Sequence, residues 1–454
     1  MRTVLTLLGA LALAACTTTE TSRRAGPEIS LPPMKTFSAV SVRPPSKSNV
    51  QIARDFLDLT FRLENGEKMP RFTRFEGPVT VRVAGNPPAS LGPDLDRLIS
   101  RLRREAGIPI SRVGGDGPAS ITIVPVSRAQ IQSVAPSAAC FVRPNVSSWE
   151  EYRARRNDPT TYWTELTERK RMAVFLPVDV SPQEIRDCLH EEISQALGPV
   201  NDLYRLPESI FNDDNFHTVL TGFDMLILRA FYDPALQNGM REPEVAARLP
   251  TILNRLNPSG RRGGTSDATT EFAAWQNEIG TATMPRTSRN RRIAAAERAV
   301  SLARQFGPND SRLAFSYYIL GRLSLSNAPE TALAAFLEAG RIYQSRPDTA
   351  IQEAHVAMQV AAFQLSAGRA EVAINLVDQS LDAVNEAEHA ALLSLLLMVK
   401  AEALVLLDRD WDARRVQDEA LAWARYGFGS EKEVRERAAE IRAISPRART
   451  GERT

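Results

Sequence analysis

The residues of this chain best able to bind a metal ion or move a proton lie in residues 188–202. Ligands at positions i and i+4 of a helix share one face, so they can hold one ion between them. His190 has Ser194 at i+4, and serine is a poor metal ligand, so that pair does not predict a site. Moving the frame by one residue places Glu191 and Gln195 at the required spacing. The segment therefore predicts a helical site built from carboxylate and amide oxygens.

Five residues of the segment align with the fixed positions of the motif His-Glu-x-x-His-x-x-Gly-x-x-His: Glu191, Glu192, Gln195, Gly198 and Asn201. The segment therefore resembles the metzincin class of zinc peptidases. The resemblance implies that Glu192 is the catalytic residue, a general base acting on metal-bound water. It also implies that Glu191, Gln195 and Asn201, or Asp202 beside it, stand where the three histidine ligands would be.

The candidate metal ligands Glu191, Gln195, Asn201 and Asp202 offer oxygen atoms only. Such a set suits a hard cation such as calcium better than catalytic zinc. The methionine turn of metzincins is not evident either, because residues 199–215 contain no methionine. We therefore expect no cofactor, with a divalent cation as the alternative.

A longer run extends the resemblance. Residues 191–202, followed by Leu-Pro-Glu-Ser-Ile-Phe-Asn-Asp at 206–213, resemble the bacterial family called domain of unknown function 2927, over about residues 70–235. The family has no assigned activity to carry over, and it looks like a degenerate relative of metzincins. The resemblance implies an α+β, zincin-like fold for this part of the chain.

Helical and strand patterns alternate across residues 48–257, as a zincin-like α/β domain requires. The predicted strands are 79–83, 120–126 and 172–178, and the predicted helices are 52–63, 91–106, 182–197, 216–232 and 245–256. Asp213-Asp214 fits either a cation site or the cap of the helix that starts at 216, and we favour the cap. Residues 258–270 are rich in glycine, serine and arginine and are interpreted as a linker.

Residues 271–445 are helical throughout and repeat. Ala332, Ala373 and Ala413 recur 41 and 40 residues apart, each near the start of a second helix. Together with Leu320-Gly321, this pattern resembles tetratricopeptide repeats, although the period exceeds the usual length of about 34 residues. The resemblance implies an all-α helical-repeat domain with a groove for a protein or peptide partner. The alternative is a structural helical layer packed on the first domain, and residues 446–454 are expected to be a disordered tail.

The N-terminus resembles that of bacterial lipoproteins. One arginine precedes an apolar run that is too short to span a membrane, and Leu13-Ala14-Ala15-Cys16 resembles a lipobox. The resemblance implies a signal peptide at 1–15, a lipid on Cys16 and anchoring in a membrane of the cell envelope, facing the periplasm. Thr17 favours the outer membrane over the inner one, and residues 16–47 are interpreted as a flexible tether.

Two cysteines remain, Cys140 and Cys188. In an oxidising compartment they predict a disulfide, with two buried thiols as the alternative. With 56 basic and 54 acidic residues, the net charge of +2 gives no electrostatic case for a nucleic-acid partner.

The sequence leaves two functions open. The favoured one is a binding or scaffold lipoprotein whose metzincin-like domain has lost zinc and activity, and the alternative is an unconventional metal-dependent hydrolase that uses Glu192.

Overall fold

Five strands form one mixed sheet in the first half of the computed structural model, which describes residues 31–37, 43–261, 272–284 and 286–447. The strands are β1 Val79–Val83, β2 Ile110–Arg112, β3 Ile121–Val126, β4 Phe141–Pro144 and β5 Met172–Pro177. Their order is β2-β1-β3-β5-β4, and all neighbours are parallel except β4, which runs antiparallel to β5 at the edge. The inner strands β3 and β5 are almost entirely buried, which explains their nearly continuous apolar sequences.

Seven helices accompany the sheet among the described residues: α1 Asn49–Phe61, α2 Leu91–Glu105, α3 Arg128–Val134, α4 Trp149–Arg155, α5 Pro182–Leu197, α6 Gly222–Phe231 and α7 Glu242–Leu256. Helix α5 lies against β4, β5 and α2. Ser181 caps its first turn by accepting the backbone N–H of Glu184. Gly198 follows its last residue, and an added Cβ atom there would lie 3.0 Å from the Phe231 ring, so a larger residue would require this ring to shift.

The prediction of α5 is confirmed at both ends, as is the strand at 79–83. The helix predicted to begin at 216 begins instead at Gly222, because Thr221 accepts the backbone N–H of Asp224 and starts the helix there. The prediction that Asp213-Asp214 caps this helix is therefore wrong. The short elements β2, β4, α3 and α4 were not predicted, because so few residues show no clear period.

The second half of the described chain is all helical: α8 Ala273–Thr283, α9 Arg289–Ala303, α10 Ser311–Ser324, α11 Pro329–Gln344, α12 Ala350–Ser366, α13 Ala370–Glu386, α14 Ala390–Leu406, α15 Asp410–Phe428 and α16 Glu431–Ile444. Three successive pairs form the predicted repeats, with first helices α10, α12 and α14 and second helices α11, α13 and α15. Ala332, Ala373 and Ala413 are buried at corresponding places in the second helices. The coarse prediction of an α/β region followed by helical repeats is confirmed.

The helical repeats pack directly on the α/β region through the loop between α5 and α6. Phe216 in that loop lies 5.2 Å from Tyr318 of α10 and 4.8 Å from His355 of α12, measured between ring centres. Gln352 of α12 donates to the carbonyl oxygen of Pro207 in the same loop. Because α10 and α12 are first helices, this part of the first-helix face is covered by the chain's own α/β region.

The part of the predicted tether that is described contacts the folded protein. The Lys35 backbone N–H donates to Ala422 of α15, and Phe37 stacks on Trp423 with ring centres 4.4 Å apart. Arg43 pairs with Glu386 at the end of α13. The signal peptide, Cys16, most of the predicted linker and residues 448–454 of the predicted tail lie outside the described residues. The domain boundaries remain predictions.

Within the described residues, no helix is long and apolar enough to cross a membrane.

Candidate functional site

A disulfide between Cys140 and Cys188 joins the segment before β4 to helix α5, with the two Cα atoms 6.0 Å apart. The predicted pairing is confirmed. Glu192 lies one turn after Cys188, and the backbone N–H of Val142 in β4 donates to its carboxylate. The disulfide and this hydrogen bond together hold the edge strand against the face of α5 that carries Glu191 and Glu192.

One carboxylate oxygen each of Glu191 and Glu192 and the sulfur of Cys140 lie within 4.8 Å of one another. A metal would need the cysteine as a thiolate, but this sulfur is bonded to Cys188. The group therefore contributes two carboxylates and no soft ligand.

Arg169 fixes the end of α5. Its guanidinium donates to the carbonyl oxygens of Gln195, Ala196 and Gly198 at distances of 2.6, 2.9 and 2.6 Å. These are among the carbonyl groups that a helix end leaves without partners, and a cation there also offsets the negative end of the helix dipole. Burial lowers the pKa of Arg169 to about 10, so the side chain stays charged at neutral pH. Arg169 thereby positions the turn that leads from α5 to Asp202.

Five acidic side chains from three segments act on one another through their charges near the second half of α5, and we call them the carboxylate cluster: Glu64, Glu191, Glu192, Asp202 and Asp213. Glu64 comes from the loop after α1, and Asp202 and Asp213 come from the loop after α5. Glu192 and Asp202 are only 3% and 8% exposed, whereas Glu64 and Asp213 are exposed. The cluster is therefore buried at one end and open to solvent at the other.

Burial, and then the neighbouring carboxylates, raise the pKa values across the carboxylate cluster. The pKa of Glu191 rises to about 7, and those of Glu192 and Asp202 rise well above their ordinary values. The charged groups that act on these three residues are all carboxylates of the cluster. The pKa of Glu64 is raised in the same way, by burial and then by the charge of Asp213.

Two of the predicted metal ligands support Asp202 from the side. The Gln195 amide donates to Asp202 Oδ2 at 3.4 Å. The Asn201 amide donates to the backbone oxygen of Asp58 at 3.1 Å and accepts the backbone N–H of Asp202 at 3.0 Å. Both polar atoms of the Asn201 side chain thus have backbone partners, one in α1 and one in the turn. Glu191 and Asp202, in contrast, belong to the carboxylate cluster.

The two histidines of the α/β region have other partners. His190 is buried, and its Nδ1 accepts the backbone N–H of Leu220 at 3.0 Å. Burial, and then the charge of Arg101, lower the pKa of His190 well below its usual value. His217 donates from Nε2 to the carbonyl oxygen of Pro207 at 2.9 Å. His190 Nδ1 and His217 Nε2 are therefore directed at backbone groups and not at the carboxylate cluster.

Sequence reasoning missed Glu64, and it assigned Asp213 to a helix cap. No local pattern distinguishes Glu64, because it reaches the cluster only through the packing of α1 on the turn after α5, where the Val200 N–H donates to the carbonyl oxygen of Leu59. For Asp213, the sequence did offer a second interpretation, in which the Asp213-Asp214 pair is a cation site. The later start of α6 removes the cap interpretation and leaves Asp213 in the cluster, hydrogen-bonded to Tyr204.

A family model described as a protein of unknown function (DUF2927) matches residues 49–251 of the chain. The matched range contains all five strands, helices α1 to α6 and the whole carboxylate cluster. No curated protein and no solved structure matches the chain.

Proposed function

Because residues 49–251 belong to the family of proteins of unknown function DUF2927, which brings no activity with it, we propose a function from the geometry of the site. The protein is a lipid-anchored binding and scaffold protein of the bacterial cell envelope, facing the periplasm. Its α/β region is a zincin-like fold that has lost zinc and peptidase activity.

The state of Glu192 carries this proposal. A general base must reach the proton that it removes, directly or through one water molecule. Glu192 is 3% exposed, is tied to β4 by the Val142 N–H and has its pKa raised well above the usual value by burial and by Glu191. A carboxyl group in that environment resists ionisation and is poorly suited to activate water.

The zincin-like part of the proposal is supported by the arrangement of the elements. Four parallel strands and one antiparallel edge strand precede α5, which lies against the sheet and ends in a glycine turn. The three positions that carry histidine in metzincins are Glu191, Gln195 and Asn201 here, and the last two support Asp202.

The competing function, a hydrolase that uses Glu192 as general base, is tested by the substitution Glu192→Gln. We expect the wild-type protein and the variant to be equally inactive on broad peptide libraries. Since the substitution removes a buried carboxyl group among like charges, we also expect the variant to be at least as stable as wild type. Peptide cleavage by the wild type that the variant loses would overturn the proposal.

We place a protein partner on the second-helix side of the repeats, because the α/β region covers part of the first-helix side, at α10 and α12. Three exposed apolar side chains support this surface, since Leu337, Val372 and Trp411 lie on α11, α13 and α15 respectively. Photo-crosslinking residues at these positions should capture one common protein in intact envelopes. A crosslinker at exposed Val50 on α1 is the control, and equal capture there would contradict a specific surface.

The anchor is tested at Cys16. A Cys16→Ser variant should leave the membrane fraction and appear in the soluble periplasmic fraction, because the acyl chains supply the membrane affinity. Retention in the membrane at wild-type levels would refute lipid anchoring.

A further inference from the structure

We propose that a pocket between α8, α9 and α10 binds the phosphate group of an anionic phospholipid at a membrane surface. We call it the arginine pocket, and its walls are Ala282, Thr283, Arg289, Arg292, Ile319, Arg322 and Leu323. Its volume of about 530 Å³ lies in the range of small-molecule sites. This contact goes beyond the scaffold role and does not depend on it.

Backbone hydrogen bonds hold two of the three guanidinium groups in the wall of the arginine pocket. Arg289 Nη2 donates to the carbonyl oxygen of Leu323 at 2.7 Å, and Arg292 Nε donates to that of Ala282 at the same distance. The Arg322 guanidinium lies over the Tyr318 ring, 5.9 Å from its centre. Each guanidinium has five N–H donors, so these contacts leave donors for a ligand and order the side chains before it binds.

The protein does not balance the positive charge of the arginine pocket. None of the wall residues is acidic. Within the described part of the chain, no salt bridge involves Arg289, Arg292 or Arg322. Further along α9, in contrast, Arg298 pairs with Glu278 of α8 at 2.8 Å. An anionic ligand in the pocket would supply the missing opposite charge.

The place of these arginines on α9 adds to the excess of positive charge. Arg289, Arg291 and Arg292 lie in the first turn of this 15-residue helix, and Arg286 precedes it. The first end of a helix carries a partial positive charge, so cations are unfavourable there and anions are favourable. The first turn contains no acidic residue, and the Ser288 side chain makes no capping hydrogen bond. A phosphate held by the pocket arginines would offset this unfavourable arrangement.

Exposed apolar side chains beside the arginine pocket favour a membrane as the source of the phosphate. Met284 and Leu325 are 54% and 38% exposed, and each lies within two residues of a wall residue along the chain. Arginines attract anionic headgroups, while neighbouring apolar side chains enter the membrane interface. A free phosphate ion would use the arginines alone and would leave both apolar side chains in water.

The proposed anchor would keep a membrane within reach of the pocket. The chain between Cys16 and Pro32, whose carbonyl oxygen accepts from Arg425 of α15, spans at most roughly 55 Å when fully extended. A tether raises the effective concentration of the second contact, so a weak headgroup site is sufficient. Only this consequence rests on the proposed function, because headgroup binding itself does not require the anchor.

The test is cosedimentation of the full-length Cys16→Ser chain with lipid vesicles, so that no acyl chain on the protein contributes. We expect binding to vesicles of equimolar phosphatidylcholine and phosphatidylglycerol, and at least about tenfold weaker binding to phosphatidylcholine alone. High salt should release the protein from the anionic vesicles. Residues 1–15 are the same in every variant compared, so they do not produce the differences between variants.

Two pocket variants and one control make the test specific. Arg289→Ala combined with Arg322→Ala should weaken binding to anionic vesicles by roughly thirtyfold, because each arginine near such a surface contributes a factor of about five. Arg322→Ala alone should weaken it by about fivefold, and it protects the test against a folding defect because Arg322 is exposed. The control combines Arg298→Ala with Arg341→Ala, which removes the same charge from exposed, salt-bridged positions, and it should bind as the parent chain does.

The outcomes separate this proposal from its alternatives and from the proposed function. Equal binding to neutral and anionic vesicles, or pocket variants that bind as the control does, overturns it. Binding of inorganic phosphate or duplex DNA that the pocket variants lose, without binding to anionic vesicles, also overturns the lipid assignment. High salt should release the pocket contact but not an acyl anchor, so fractionation in high salt tests Cys16 separately. None of these outcomes changes the scaffold role.

Discussion

Arg169 shows at the residue scale how one buried side chain can position a site without touching it. Its guanidinium binds three carbonyl oxygens at the end of α5, and it also donates to Thr73 at 3.3 Å. Trp163 packs against the guanidinium at 5.2 Å from its ring centre. Because the end of α5 is held in this way, the turn from Gly198 to Asp202 begins at a fixed position. Asp202, at the buried end of the carboxylate cluster, is positioned by that turn.

Replacing Arg169 by alanine should lower the free energy of unfolding by roughly 3 kcal/mol, because buried carbonyl groups lose a charged donor. Urea titration followed by circular dichroism measures the change. The control is Arg261→Ala: this arginine also donates to a carbonyl near a helix end, that of Asn254, but from an exposed position. The control should change the free energy by no more than about 0.5 kcal/mol, and an equally small effect at Arg169 would contradict the positioning role.

At the scale of elements, α5 and the edge strand β4 form the wall on which Glu191 and Glu192 stand. The strand is only four residues long and pairs on one side, with β5. Such a short edge strand has few hydrogen bonds to hold it. The Cys140–Cys188 disulfide supplies a covalent link from its N-terminal end to the middle of α5.

Loss of this disulfide should lower the free energy of unfolding by up to about 4 kcal/mol. This is the stabilisation expected when a crosslink between cysteines 48 residues apart reduces the entropy of the unfolded chain. A variant with Cys140→Ala and Cys188→Ala should show this loss in urea titrations. A thiol reductant should lower the stability of the wild type and leave the variant unchanged. If the reductant acts equally on both proteins, the disulfide does not contribute to stability in this way.

At the scale of the whole molecule, the helical repeats and the α/β region are joined by buried polar contacts. Arg186 of α5 pairs with Glu388 at 3.2 Å, and both side chains are almost completely buried. Next to them, His389 caps α14, because its Nδ1 accepts the backbone N–H of Leu392 at 3.2 Å. Gln183 of α5 also lies 3.3 Å from this nitrogen. The described residues from Pro32 onward accordingly form one compact unit.

The stability of this junction should depend on pH through His389. Burial, and then the charge of Arg186, lower the pKa of His389 from 6.5 to about 3. The unfolded chain binds a proton below about pH 6.5 while the folded protein does not, so the stabilisation present above that pH is lost as the pH falls toward 3. Between pH 6.5 and 4.5 the wild type should lose about 2.3 kcal/mol through this residue.

The matched variant is His389→Asn, since asparagine can cap a helix and does not titrate. Urea titrations of both proteins at pH 6.5 and 4.5 give the difference in pH dependence that belongs to His389. The variant should lose less stability over this interval than the wild type does. Identical pH dependence of the two proteins would show that His389 does not titrate as its burial requires.

Several features follow from the sequence by itself, because they depend on neighbouring residues. Ser181 and Gly198 bound α5, alternation of apolar residues marks β1, and the spacing of small residues marks the helical repeats. The disulfide followed from a count of cysteines. Local patterns also led to Glu191, Glu192 and Asp202, which share one helix and the turn after it.

Only the tertiary structure decided which side chains join them. Glu64 and Asp213 lie in loops with no period, far apart in the sequence, and they meet only because α1 and the loop after α5 pack together. The tertiary structure likewise decided that α10 and α12 face the α/β region, a contact made by Phe216 and Gln352. Short-range preferences set helix and strand boundaries, whereas a site assembled from distant loops depends on long-range packing that no local pattern encodes.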